Sequence, residues 1–314
     1  MTICISGSVA YDTIFSFSGL FRDQIIKSRL EHISMCFPAS AMTRRFGGCG
    51  GNIAYACRVL RDDPVLLSAA GENDAADYIE HLRTCGIRSA ITMVANEYTA
   101  QCFILTDSQG AQISSFCPNA TLRARTDQWP ENENFNIGIL APETREIMLA
   151  RIRQFSAHKI PFFFDPGQVT PRFSAEELLG CFSAATYTVM SDYEFGLIQK
   201  ITGATENTIL KTGCKALIIT HAESGSTVFT QDGKLTVKAC SIKAVDAVGA
   251  GDAFRAGLLH AVSHHLGWEK ALQLASAIAS FKVETKGAQT YKPSAEAILN
   301  RLDENYGNAT GFCL

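Results

Sequence analysis

The sequence predicts an α/β protein: a doubly wound, mostly parallel sheet with helices on both faces, carrying a small β lid. Three observations lead there. Short apolar runs of strand length alternate with amphipathic helical stretches along most of the 314 residues. The composition is 46% hydrophobic and 19% charged, with 24 glycines and 9 prolines, which suits a large core and excludes disordered or low-complexity classes. Two stretches, 13–46 and 99–117, break the alternation and read as strands projecting from the core.

The elements follow in chain order. Residues 3–6 (ICIS) form an apolar run that ends in a Ser-Gly turn. Residues 13–46 mix apolar and polar positions without a helical period. Residues 99–117 contain two strand-like runs around the polar turn Asp107-Ser108-Gln109-Gly110, hence a hairpin. A strand at 137–140 precedes a helical pattern over 143–157. The run 160–164 breaks at Asp165-Pro166-Gly167, and Ser174 to Glu177 is a capping box that opens another helix. Residues 188–190 and 216–220 are further buried strands, the first leading into a helix near Asp192. The last third predicts helices over 250–266 and 269–283, and a third from a Ser294 cap to about Asn305. With no internal repeat and no linker, the expected organisation is a core of 1–12, 47–98 and 118–314. The expected lid is 13–46 and 99–117.

Charge and cysteine content narrow the function classes. Lysine and arginine number 28 against 31 acidic residues, a net charge of −3, so nothing draws the chain in bulk to nucleic acid or an anionic membrane. No run of about 18 apolar residues occurs, and the opening MTICISGSVAYD lacks a basic, signal-like segment. A soluble, cytoplasmic protein is expected. The 11 cysteines are odd in number and show no C-x-x-C spacing; several, such as Cys4, Cys102 and Cys181, lie in apolar runs. Reduced thiols that pack as small hydrophobes are expected, not a disulfide framework.

The chemistry concentrates in Asp246-Ala-Val-Gly249-Ala250-Gly251-Asp252-Ala-Phe254. Glycines just ahead of a long helix let backbone N–H groups converge at its N-terminus, where the macrodipole adds positive potential. Such a nest holds an anion. An Asp in a first helical turn is favoured for dipole reasons alone. Beside an anion nest, the same carboxylate can also take the proton of an attacking hydroxyl while the N–H groups hold a migrating phosphoryl group.

This stretch closely resembles the D-T-x-G-A-G-D-x-F signature of the ribokinase-like carbohydrate kinases, which include ribokinase, fructokinases and adenosine kinases. Phe46-Gly47-Gly48-Cys49-Gly50-Gly51-Asn52-Ile53-Ala54 resembles the family's G-G-x-x-x-N-x-A substrate motif, about 200 residues earlier. The likeness runs from Gly7–Asp12 to Lys286-Gly287-Ala288-Gln289 and implies a ribokinase-like fold. It implies that Asp12 accepts hydrogen bonds from two sugar hydroxyls, that Gly47 and Gly48 let the backbone approach the sugar, and that Asn52 grips it. Asn52 is also suited to a plain N-cap, and one residue can do both. Ser8 and Cys49 would line the same pocket. Asp252 would be the base, with Gly249, Ala250 and Gly251 as the anion hole.

The nucleotide positions match less fully. Ser191-Asp192-Tyr193-Glu194 stands against the family's N-x-x-E, so Glu194 is the implied Mg²⁺ organiser, through water, while Ser191 replaces Asn. Thr220 to Gly225 stands against T-x-G-x-x-G on ATP, with Thr220 and Gly225 kept and Ala222 in place of a glycine. Ala247 and Val248 replace threonines beside a backbone-carbonyl site that holds a monovalent cation in many members. The implied cofactors are therefore ATP and Mg²⁺, with K⁺ left open. Asp165 stands between a metal-supporting and a turn role, and Asp246 between orienting the backbone and acting directly. Glu143 and Arg145 could face the pocket. His221, His264 and His265 lack the partners of a metal site, and Trp129 and Trp268 default to packing.

Phe17, Phe103 and Phe116 lie in the expected lid, where aromatics either stack on a base or hold the lid together. Segments 6–12, 46–55, 112–119 and 164–168 resemble a bacterial adenosine-kinase-like branch. The resemblance thus implies ATP-dependent phosphorylation of the 5′-hydroxyl of a purine nucleoside, adenosine first. A free-sugar kinase for ribose or fructose, or a non-catalytic nucleoside or nucleotide sensor, are the alternatives. A monomer and a lid-mediated homodimer are both compatible with the pattern.

Overall fold

Strand β1 (Thr2–Ser6) lies inside a nine-stranded sheet and is flanked on both sides by parallel partners. The structure, a computed structural model, describes residues 1–25, 31, 34–127, 129–131, 133–307 and 309–314. After β1 come β2 (Ala10–Phe17), the short α1 (Phe21–Gln24), β3 (Ala39–Gly47) and α2 (Cys49–Val59). Then β4 (Asp63–Gly71), α3 (Ala76–Thr84) and β5 (Arg88–Val94) complete one wing of the sheet. The chain crosses through β6 (Ala100–Thr106) and β7 (Gln112–Cys117) and returns to the other side of β1 as β8 (Ile137–Leu140).

From there it winds outward through α4 (Arg145–Ala157), β9 (Phe162–Phe164), α5 (Ala175–Ala184), β10 (Tyr187–Ser191), α6 (Asp192–Thr202), α7 (Glu206–Lys211) and β11 (Ala216–Thr220). An antiparallel edge, β12 (Ser226–Thr230) and β13 (Gly233–Val237), closes that side. Three helices end the chain: α8 (Ala250–Ser263), α9 (Trp268–Val283) and α10 (Ala295–Tyr306). The spatial order is β13-β12-β11-β10-β9-β8-β1-β4-β5. Strand order reverses between β1 and β8, and ligands of such sheets bind in the crevice beyond the strand ends there.

Strand periodicity splits the core in two. Ile3 and Ile5 pack with α2, α3, α8, α9 and α10, while Cys4 points to the opposite layer with Val65, Leu67 and helices α4 to α7. Because both faces are covered, the strands read as continuous apolar runs, Phe162 to Phe164 being the clearest. The nine-stranded sheet, parallel except at its β11–β12–β13 edge, and the helices on both faces match the expected fold class.

Several boundaries moved for local reasons. β9 starts at Phe162 and not at 160, since Pro161 cannot donate to a ladder and serves only as an acceptor, for Gly138 N–H. Helix α8 stops at Ser263 because the chain turns through His265 in a left-handed conformation, φ 57°. His264 packs its ring on His260 with centroids 4.1 Å apart. The capping boxes at Ser174 and Ser191 and the Ser294 cap are formed.

A second sheet, in the order β3-β2-β6-β7, stands off the core. The hairpin expected over 99–117 is β6 and β7, antiparallel around the Asp107 turn, whose carboxylate accepts from Gln109 and Ala111 N–H. The strands expected within 13–46 are β2 and β3, but they overrun those bounds: β2 starts at Ala10 and β3 ends at Gly47, so Asp12 and Gly47 belong to this sheet and not to the core. Positions 26–30, 32 and 33 of that segment lie outside the described residues. All eleven cysteines are free thiols, five of them buried and Cys36 and Cys313 exposed. No helix among the described residues is long and apolar enough to cross a membrane.

The joint between β1 and α2 is bare backbone on bare backbone. A Cβ on Gly50 would lie 2.5 Å from the Gly7 carbonyl carbon, and one on Gly7 would lie 2.7 Å from Gly50 Cα. Gly180 on α5 has nothing within 4 Å of an added Cβ. Urea unfolding should therefore show Gly50→Ala less stable by about 1–3 kcal/mol, the cost of overpacking. Gly180→Ala should gain about 0.5–1 kcal/mol from helix propensity.

Candidate active site

Helix α8 begins at Gly249, whose φ of 82° is a left-handed cap that side chains disfavour. The first amides of a helix have no acceptor within it. That of Ala250 bonds Ala247 O at 3.1 Å, which leaves those of Gly251 and Asp252 at the helix mouth. Asp252 sits in this first turn. Asn52 Nδ2 donates to its Oδ2 at 2.8 Å, and Cys49 is a second side-chain partner. Burial pushes the Asp252 carboxyl above its ordinary range, opposed by the Asn52 hydrogen bond and the Arg255 charge.

Asn52 is held in turn. Gln289 Nε2 donates to Asn52 Oδ1 at 3.0 Å and to the Tyr78 hydroxyl at 2.9 Å. Tyr78 donates to Gly47 O at 2.5 Å, and His81 Nε2 lies 2.9 Å from Gln289 Oε1. With a donor already on Oδ1, the amide of Asn52 must turn its Nδ2 toward Asp252. The glycine-rich turn, the C-terminal motif and the carboxylate thus form one network.

Asp12 enters the cleft from β2. Its carboxylate lies against Gly47, where a Cβ would come 2.3 Å from Oδ2. Gly48 has φ 85°, and a Cβ there would meet Ser8 O and Ala10 N at 2.6 Å each. Ser8 O also accepts from Gly51 N–H at 3.2 Å. Burial, then the charges of Asp252 and Asp246, push Asp12 up to about 6, with Arg45 opposing. Strand register places Arg45, Asp12, Cys102 and Phe116 in one row across the four lid strands, all on one face. Phe103 pairs with Thr13 on the other face, and Phe17 packs against Phe21 and Phe37. Of the three lid aromatics, Phe116 alone shares the face of Asp12, and it is 52% exposed.

Beyond the nest opens a cavity of about 550 Å³. Thr220 and Gly225 line it from one side and Ala250 and Gly251 from the other, with Ile242 and Val283 among its apolar walls. Its size suits a nucleotide-sized ligand. Gly225, at φ 107°, has no room for a side chain: a Cβ would lie 2.1 Å from Val237 O. The expected nucleotide residues and the nest therefore border one space, and the acceptor residues gather around Asp252.

Other candidates have local partners. Glu194 accepts from Ser191 N–H at 2.7 Å through one oxygen, so Ser191, in place of Asn, caps α6. Asp165 uses both oxygens on Arg255, which also reaches Gly251 O at 3.1 Å. Burial works against the charge of Arg255, yet Asp165 holds its guanidinium above the ordinary range. Asp246 accepts from Val248 N–H and Gly287 N–H, which gives it the backbone-orienting role. Glu143 accepts from Ser6 Oγ at 2.5 Å, and burial pushes it up to about 7. Arg145 pairs with Glu177 and Glu146, and His221 lies 3.5 Å from Asp192. Trp129 stacks on His158, and Trp268 packs edge-on to Tyr187.

Sequence reasoning did not single out Arg255, Tyr78, His81 or Lys282, and it quoted Gln289 only as part of a motif. The signal for Arg255 and Lys282 was present: each is a charge inside an otherwise apolar helical face. As for metal, the donor set near the nest suits a cation that keeps its waters. Glu194 has one oxygen beyond its cap bond, and both oxygens of Asp165 are already engaged by Arg255.

A parallel sheet with a carboxylate and an anion nest at its switch point, next to a nucleotide-sized cavity, defines a phosphotransferase of ribokinase-like fold. Residues 30–295 match the pfkB family carbohydrate kinases, and the chain belongs to that family. The nucleoside kinase of Methanocaldococcus jannaschii is 30% identical over 83% of this chain and 86% of its own length. The structure of Burkholderia thailandensis nucleoside kinase in complex with inosine superposes with a TM-score of 0.87 at 34% identity, covering 98% of both chains. The complex of that enzyme with ADP-inosine gives 0.86 at 34% identity, over 98% of this chain and 96% of the other. The protein is accordingly an ATP-dependent kinase.

The Asp165–Arg255 pair offers a direct check on the site's scaffold. Arg255→Met strands a buried carboxylate and should cost about 3–5 kcal/mol in urea unfolding. Removing both charges with Asp165→Leu/Arg255→Met should cost less than the single change.

Proposed function

We propose that this kinase transfers the γ-phosphoryl group of ATP to the 5′-hydroxyl of a purine nucleoside, with adenosine as the first candidate and inosine beside it. The observation that carries the reading is the lid row: Phe116 lies two strands from Asp12 on the same face, about 10 Å away. That span suits a ribose whose diol rests on Asp12 while its base reaches an exposed aromatic ring. A bare sugar needs Asp12 but leaves Phe116 without a partner. The Burkholderia enzyme, similar over nearly its whole length, was solved with inosine, which supports a nucleoside acceptor.

The residues divide the work as follows. Asp12 and Asn52, with Ser8, Cys49 and the backbone of Gly47 and Gly48, orient the acceptor so that its 5′-oxygen faces Asp252. Asp252 takes the hydroxyl proton as that oxygen forms a bond to the γ-phosphorus and the bond to the β-phosphate oxygen breaks, releasing ADP. The amides at the start of α8, with Gly249, Ala250 and Gly251 as its turn, hold the charge that develops on the phosphoryl group. Thr220 and Gly225 border the nucleotide. Mg²⁺, held through water on Glu194, would neutralise the phosphates. The four-stranded sheet, built from 13–46 and 99–117, acts as a lid over the acceptor site of the core, 1–12, 47–98 and 118–314, and excludes water from it.

Turnover with adenosine, inosine, guanosine, ribose and fructose tests the reading. ADP release with nucleosides is expected; release with sugars alone would replace it by the free-sugar reading. Thermal stabilisation by nucleosides with no turnover would favour a sensor. Asp252→Asn should still bind acceptor but lose roughly 10²–10⁴-fold in kcat; a near-normal rate would remove Asp252 as the base.

Asp12 makes a pH prediction. The ionised carboxylate is the form that accepts two hydroxyls, and it is lost as pH falls through about 6. Acceptor affinity, titrated calorimetrically without ATP, should therefore be level above that pH and fall by about tenfold per unit below it. Asp12→Asn should bind weakly at all pH values and flatten the curve.

A further inference from the structure

Lys282 is a charge that the chemistry above does not use. It lies in the last turn of α9 and its side chain has no exposure to solvent. Its ammonium group donates to Asp246 O at 2.6 Å and to Thr285 O at 3.3 Å, and it lies 3.6 Å from the Asp246 carboxylate. Two chain segments meet on this one cation. The first, through Asp246, runs into Gly249 and the anion nest. The second, through Thr285, runs into Gly287, whose N–H bonds Asp246 Oδ2, and on to Gln289, which holds Asn52.

An apolar side chain of the same length would fill this space without the cost of burying a charge. What an apolar side chain could not do is draw carbonyl oxygens from two loops toward a single point. That is the work of a bound alkali cation, the kind of ion that the family resemblance implies on backbone carbonyls beside the anion hole. Here the Asp246 carbonyl already faces a positive charge, so a K⁺ ion there would compete with an ammonium group for the same oxygen. The other ionic groups around the loop are Arg45, 3.6 Å from Asp246, and Asp252, whose ionised form the Lys282 charge favours.

We propose that Lys282 is a built-in monovalent cation: a positioning residue whose ammonium group takes the carbonyl site under the anion nest, so that the enzyme works without K⁺. The inference rests on the kinase reading for its activity arm and on binding alone for its second arm.

In the first arm, nucleoside-dependent ADP formation is measured with KCl or with choline chloride at equal ionic strength. The wild-type rate should be the same in both. Lys282→Ala should lose roughly a hundredfold in kcat in choline, with little change in the acceptor KM, as a displaced nest would. K⁺ or methylammonium should restore much of that loss. Several-fold K⁺ activation of the wild type, or a Lys282→Ala or Lys282→Met enzyme at full rate in choline, would overturn the proposal.

The second arm needs no turnover. K⁺ should raise the Tm of Lys282→Ala and leave that of the wild type where choline puts it; a K⁺-specific rise in the wild type would overturn the proposal. Lys282→Met, which keeps the volume without the charge, separates loss of the cation from loss of packing. A protein that phosphorylates no acceptor in any salt would count against the kinase reading and leave the Tm comparison to decide the role of Lys282.

Discussion

A single 2.8 Å hydrogen bond, from Asn52 to Asp252, joins the two halves of the site across 200 residues of chain. It forms only if α2 and α8 lie side by side at the right height. The bare contact of Gly50 on Gly7 sets the height of α2 over β1, and any side chain at that joint would lift the helix. The rotamer of Asn52 depends on Gln289, which stands near the other end of the chain. Precision in the carboxylate is therefore bought with backbone contacts and buried amides and not with the charged residues nearest to it.

Electrostatics explains why so much scaffolding is needed. Burial, then the charges of Asp252 and Asp246, raises the proton affinity of Asp12, and burial raises that of Asp252. Three fixed cations hold this acidic cleft together: Arg45 near Asp246, Arg255 on Asp165 and Lys282 under the Asp246 carbonyl. In the proposed mechanism none of the three is required to hold a phosphate, since the α8 amides and the macrodipole serve that purpose. A near-neutral chain can in this way hold a polyanionic ligand without a basic surface, in keeping with a net charge of −3.

The lid depends on register. One residue of slip along β6 or β7 would move Phe116 off the Asp12 face and bring Phe103 or Ser115 into its place. The Asp107 turn, whose carboxylate accepts from Phe21, Gln109 and Ala111 N–H, pins the hairpin and ties it to the segment after β2. Phe17, Phe21 and Phe37 pack together in that region, so on the proposed reading they stabilise the lid and leave acceptor contact to Phe116.

The sequence by itself determined the strand–helix alternation, the nest before α8, the glycine-rich turn before α2 and the capping boxes at Ser174 and Ser191. Each of these is a local pattern, set by neighbours within a few residues. It did not reveal β4, β5 or the β12–β13 edge, whose short or mixed runs become strands only through pairing. It left Phe17, Phe103 and Phe116 equal, because one strand alone does not say which face meets the ligand. Arg255, Tyr78, His81 and Lys282 stayed hidden for the same reason: their partners, Asp165, Gly47, Gln289 and the Asp246 carbonyl, lie 90, 31, 208 and 36 residues away. Those contacts exist only once the sheet has wound both ways from β1 and brought its loops to one edge. Local chemistry could therefore be read from the chain, while the partners that orient it were decided by the fold.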